Sequence, residues 1–94
     1  MKDIILITKK NCPLCKRTKA LLDKNNVIYR CLDAEEDLDG MSYVHYYGLG
    51  GSVLPRIIIN DDLLPAYDTL EETLNAVLKA IGLIRFTGSE AVSY

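Results

Sequence analysis

The chain has 94 residues and a formal net charge of −2, from 13 acidic and 11 basic side chains. That length suits a single domain that buries roughly 60% of the surface its unfolded chain exposes. A near-neutral chain with no run approaching ~18 apolar residues excludes a membrane span and argues against nucleic-acid binding, and three cysteines are too few for a secreted disulfide scaffold.

Lys2-Asp3 leads directly into a four-residue apolar run, too short for the apolar core of a signal peptide. The expectation is a soluble, cytoplasmic protein with no membrane partner. Residues 3–8 read as a strand covered on both faces, because Ile4-Ile5-Leu6-Ile7 is continuously apolar. Residues 13–25 read as a helix. Pro13 suits its first turn, where a missing N–H does no harm, and Asn25-Asn26 ends it. Residues 27–32 form a second strand, with Arg30 marking an edge position.

The stretch 34–47 predicts a helix in which Tyr43, Tyr46 and Tyr47 serve mainly as packing. A flexible glycine-rich loop, 48–52, follows. Arg56-Ile57-Ile58-Ile59 is a third strand opened by Pro55. Asn60-Asp61-Asp62 turns the chain into a short fourth strand at Leu63-Leu64. The last helix begins near Asp68. Thr69 with Glu72 fits a capping box, the apolar face runs from Leu70 to Ile81, and Gly82 closes it. Residues 1–84 make the domain and 85–94 a tail without pattern. The sum is one small α/β domain, a four-stranded mixed sheet flanked by helices. No large apolar helix face is left over, so a monomer is expected.

The chemistry sits at Cys12-Pro13-Leu14-Cys15, where the first strand hands over to the first helix. In an intracellular protein, two cysteines three apart beside a βαβ pattern read as a thioredoxin-like redox pair. Lys9, Lys10, Lys16, Arg17 and Lys19 crowd around them, with no acid between Ile4 and Leu22. A basic collar and a helix N-terminus both lower a thiol pKa from its ordinary ~8.5 and attract anionic partners. Taken one at a time, these lysines equally suit a solvated helix face. Cys12 is the expected nucleophile and Cys15 the resolving thiol. A zinc site is the competing reading of the pair, but Cys31 and His45 are not at ligand spacing. Cys31 is expected to be a buried, inert thiol on a face shared with Val27 and Tyr29.

Thr8-Lys9-x-x-Cys12-Pro13-x-Cys15 resembles the opening motif of the glutaredoxins, T-K-x-x-C-P-Y-C, within the thioredoxin superfamily. Val53-Leu54-Pro55 before an Ile-rich strand resembles the family's T-V-P segment, and Tyr67-Asp68-Thr69 its stretch at the start of the final helix. The resemblance covers about residues 3–82. It implies a thioredoxin-like (glutaredoxin) fold and a cis bond at Leu54–Pro55. It also implies a thiol–disulfide oxidoreductase that reduces protein disulfides or glutathione mixed disulfides, with no bound cofactor and glutathione as reductant.

The residues the resemblance assigns to substrate are Lys9, Pro13, Leu14, Arg17, Leu54, Pro55, Tyr67, Asp68 and Thr69. Lys9 and Arg17 are candidates for the glycyl carboxylate of glutathione. Leu54 offers its backbone to an extended peptide, and Asp68 either caps the helix or holds the γ-glutamyl group. Three departures stand out. Leu14 replaces the family's tyrosine, Pro65-Ala66 replaces a Gly-Gly pair, and the loop before Pro55 is rich in glycine. They leave open a glutaredoxin-like electron donor reduced by thioredoxin reductase. A second alternative, an iron–sulfur cluster binding module, comes from the resemblance, since some glutaredoxins share a cluster between subunits. Pro13 and the second thiol weigh against it.

Overall fold

The apolar run Ile4-Ile5-Leu6-Ile7 lies at the centre of the molecule because both of its faces are covered. The computed structural model describes residues 3–51 and 53–82. In chain order the elements are β1 (Ile4–Thr8), α1 (Pro13–Lys24), β2 (Arg30–Asp33), α2 (Leu38–Tyr46), β3 (Arg56–Ile59), β4 (Asp62–Leu63) and α3 (Leu70–Ala80). The sheet order is β2-β1-β3-β4. β2 runs parallel to β1, with Leu6 opposite Cys31, and β3 runs antiparallel to it, with Ile7 opposite Arg56. Alternation along β1 sends Ile4 and Leu6 into one core with Leu22 of α1, Val77 of α3, Ile57 and Ile59. Ile5 and Ile7 enter a second core with Ile58, Leu54 and both cysteines of the C-x-x-C pair, against Tyr43, Val44 and Tyr47. The result is the expected mixed sheet between two helical layers, with α1 and α3 on one face and α2 on the other. The tail, residues 85–94, lies outside the described residues.

The first helix ends by a mechanism visible in its hydrogen bonds. Asn26 takes a left-handed φ of 59°. Its N–H donates to the Asp23 carbonyl, and the Val27 N–H donates to the Leu22 carbonyl at 3.0 Å. This is a Schellman closure with asparagine in glycine's usual place, and Val27 packs with Leu22 in the same core. Val27 is therefore spent on the helix end, and the second strand starts only at Arg30 instead of residue 27.

That shift corrects the reading of Cys31. Its thiol is exposed, not buried. Alternation with Val27 and Tyr29 has no meaning where those residues are not in a strand. β2 is also an edge strand, as Arg30 indicated. The Cys31 sulfur lies 3.5 Å from Thr8 Oγ1.

Tyr29 links this segment back to α1 by donating its hydroxyl to Asp23 Oδ1 at 2.9 Å. Partial burial, and then the Asp23 carboxylate, push the Tyr29 pKa up from 10.0 to about 12. An acid whose folded pKa is raised supports the fold fully below its unfolded pKa and loses that support as pH rises through the folded value. Wild type is therefore expected to lose stability between about pH 10 and 12 more steeply than Tyr29→Phe. Urea midpoints at pH 9 and pH 11.5 test this, and parallel declines in the two proteins would contradict it.

The second helix begins four residues later than its composition suggests. Asp33 Oδ1 accepts the N–H groups of Glu35 and Glu36 at 2.7 and 2.9 Å, and Asp37 Oδ2 accepts the Asp33 N–H at 2.8 Å. These side-chain bonds hold residues 34–36 in turns, in competition with helix. Asp37 is the N-cap but makes no side-chain cap bond, its carboxylate being engaged behind it. Of the three tyrosines predicted to pack, Tyr43 of α2 and Tyr47, its C-cap, stack and pack on the second core. Tyr46 departs from the packing role and is 80% exposed. Tyr47 donates to the Asp61 carbonyl at 2.6 Å, which fastens α2 to the β3–β4 turn. That turn has positive φ at both Asn60 and Asp61, the geometry preferred in two-residue hairpins.

Candidate active site

Cys12 is the N-cap of α1 and Pro13 its first residue. The sequence builds this junction directly, since proline's fixed φ and missing N–H suit a first turn and nothing else in a helix. Cys12 and Cys15 are joined as a disulfide with Cα atoms 5.2 Å apart. The Cys12 sulfur accepts the Cys15 backbone N–H at 3.1 Å. It thus faces the unpaired N–H groups of the first turn, where negative charge is favoured. No acidic residue occupies that turn. Both cysteines are buried, with Cys12 7% and Cys15 3% exposed.

On its far side the Cys12 sulfur lies 3.8 Å from the Leu54 carbonyl oxygen. The Leu54–Pro55 peptide bond is cis, as the motif implied. Beside this segment runs a shallow groove with a cavity volume of about 80 Å³. Leu14, Leu54, Pro55, Tyr67, Asp68 and Thr69 all line it, so six residues scattered over the sequence meet on one surface. The groove does not include Lys9, Pro13 or Arg17, all of them exposed nearby on the α1 side.

Thr18, Arg56 and Thr73 also line the groove and were not singled out from the sequence. Thr18 is legible in hindsight: it lies one turn after Leu14 and donates to its carbonyl at 2.8 Å. Arg56 directly follows Pro55, yet as the first residue of an apolar strand it carried no signal of its own.

The start of α3 closes the groove. Thr69 is its N-cap and forms a full capping box. Its hydroxyl accepts the Glu72 N–H at 3.1 Å, and its own N–H donates to Glu72 Oε1 at 3.2 Å. Asp68 therefore does not cap the helix. Its exposed side chain belongs to the groove.

The basic collar is partly answered by the acids of residues 33–36. Lys10 Nζ pairs with Glu36 Oε2 at 2.6 Å, and that hydrogen bond, together with the charge, holds the Lys10 ammonium above its usual range. Among the described residues, no group of three or more His, Cys, Asp or Glu side chains could hold a metal ion. No helix among them is long and apolar enough to cross a membrane.

The sequence model of the glutaredoxin family matches residues 4–64. Glutaredoxin 1 of Rickettsia prowazekii (strain Madrid E) is 37% identical over 60 residues, and the chain spans 62% of that relative's length, using 62% of its own. Glutaredoxin 1 of Francisella tularensis, solved in complex with cacodylate, superposes with a TM-score of 0.61 at 20% identity, over 84% of this chain and 99% of that one. A buckwheat glutaredoxin solved with glutathione superposes with a TM-score of 0.61 at 19% identity, over 85% of this chain and 76% of that one. The two structures establish the thioredoxin-like fold. Since the family match runs unbroken from β1 through the cysteine pair and the Leu54–Pro55 bond to the end of β4, this chain belongs to the glutaredoxin family.

Proposed function

We propose that the chain is a dithiol thiol–disulfide oxidoreductase that reduces glutathione mixed disulfides and protein disulfides, with glutathione as its electron source. The observation that carries this reading is the Cys12–Cys15 disulfide at the α1 N-terminus, where the Cys12 sulfur already accepts the Cys15 N–H. In the reduced protein the same contact favours the Cys12 thiolate, the species that attacks disulfides.

Cys12 attacks the glutathione sulfur of a mixed disulfide and expels the substrate thiolate. Glutathione is then released by one of two routes. The Cys15 thiolate attacks Cys12, forming the intramolecular disulfide, which two further glutathiones reduce. Otherwise a second glutathione attacks the bound one directly, leaving as oxidised glutathione. The groove supports a place for the tripeptide. The Leu54 carbonyl lies 3.8 Å from the Cys12 sulfur, and Tyr67, Asp68 and Thr69 line the same groove. The buckwheat relative binds glutathione on the same fold.

The test is turnover of a glutathione–hydroxyethyl mixed disulfide, coupled to glutathione reductase, by wild type and Cys15→Ser. Turnover by both proteins supports the glutathione site and the direct route. No turnover by wild type, with the Cys12–Cys15 disulfide instead reduced by thioredoxin reductase, would discard glutathione as the donor.

A further inference from the structure

Arg56 is the cation that the groove contains and the motif reading left out. It is half-buried between Pro55 and the segment 64–68, and its Nη2 donates to the Leu64 carbonyl at 2.9 Å. Leu64 is itself held in register, since its N–H donates to the Ile57 carbonyl at 2.9 Å. The guanidinium is thus fixed in place by the sheet. Its Nε is buried without a hydrogen-bond partner among the described residues, and among them no carboxylate lies within ion-pair distance of it. Val53, Leu54, Leu64, Pro65 and Ala66 make the adjoining wall apolar.

A buried donor without an acceptor is costly and rare in a settled structure. The Nε has almost no accessible surface and Nη2 is tied to Leu64, so what the side chain offers a ligand in the groove is a fixed positive charge, which suits a carboxylate.

We propose that Arg56 is a specificity-determining residue that selects thiols and disulfides bearing a carboxylate near the reacting sulfur. The inference rests on the thiol–disulfide exchange reading above, though not on glutathione as the donor. A thiolate attacks Cys12 of the disulfide, forming a mixed disulfide and freeing the Cys15 thiolate. A second thiol attacks the incoming sulfur, freeing the Cys12 thiolate and leaving as the external disulfide. Two electrons enter the protein, and the carboxylate is held by Arg56 during the first attack.

The experiment reduces the oxidised full chain with 3-mercaptopropionate, 2-mercaptoethanol and cysteamine. These thiols are anionic, neutral and cationic. Each rate is divided by that of the same thiol with hydroxyethyl disulfide, which removes intrinsic reactivity. In Arg56→Gln the anionic-to-neutral ratio is expected to fall about fivefold at low ionic strength, the scale of one charge pair near a surface. Arg56→Lys, which keeps the charge but loses the guanidinium geometry, should lower the ratio less than Arg56→Gln does. Added salt should bring the wild-type ratio toward that of Arg56→Gln.

A ratio unmoved by Arg56→Gln overturns the proposal, including the case in which all three rates fall together because the tie to Leu64 is lost. If wild type is reduced no faster than hydroxyethyl disulfide by any of the thiols, the exchange reading itself fails and the proposal falls with it.

Discussion

Replacing Cys12 with serine is expected to remove disulfide exchange to the background rate, a loss on the order of a thousandfold or more. The reason is local. The Cys12 sulfur caps α1 and accepts the Cys15 N–H at 3.1 Å. A serine oxygen can take over the cap, since serine is a favoured N-cap residue, so the fold survives while the nucleophile is gone. The Cys15→Ser partner variant separates the two steps. It keeps Cys12 and so still forms a mixed disulfide with glutathione, but it has no thiol to release a bound protein substrate.

Intact mass after incubation with a disulfide-bearing protein should therefore show a stable adduct on Cys15→Ser and none on Cys12→Ser. An adduct on Cys12→Ser instead would assign the attacking role to Cys15. That outcome would conflict with its smaller exposure and its position one turn inside the helix.

The largest effect on stability is expected at Gly40, in the first turn of α2. A Cβ built there would collide with the carbonyl oxygen of Asp33 and stand 2.8 Å from its carbonyl carbon. Both atoms are backbone, so no side chain can rotate aside. Helix propensity alone predicts that Gly40→Ala gains about 1 kcal/mol. The collision predicts a loss, because α2 must lift from the end of β2 and take Tyr43, Val44 and Tyr47 with it. Overpacking of this kind costs about 1–3 kcal/mol even where neighbours can adjust.

We expect the collision to prevail and Gly40→Ala to lower the urea midpoint by that scale. Gly50→Ala, a position with open space and no left-handed backbone, should stay within about 0.5 kcal/mol of wild type. A stabilised Gly40→Ala would mean that α2 does not seat against Asp33 as closely as described.

Much of the fold could be read in advance because its signals are local. β1 needs only a run of four aliphatic residues. The start of α1 needs Pro13, and the start of α3 needs Thr69 and Glu72 at capping-box spacing. The hairpin needs Asn60-Asp61, two residues that tolerate positive φ. The disulfide pair could be read from its C-x-x-C spacing, whereas the cis Leu54–Pro55 bond followed only from the resemblance to the glutaredoxins.

What only the tertiary structure decided depends on neighbours that are distant in sequence. Cys31 was assigned a buried place by alternation. Its exposure follows from Val27 closing α1 and from β2 lying at the edge of the sheet. The late start of α2 follows from carboxylates of Asp33 and Asp37 that satisfy backbone N–H groups before a helix can. Arg56 reads in sequence as the polar opening of an apolar strand. Only when β4 brings the Leu64 carbonyl beside it does it become a fixed cation in the groove. Local propensity determines where elements form, whereas exposure, charge pairing and close backbone approach are set by which elements pack together.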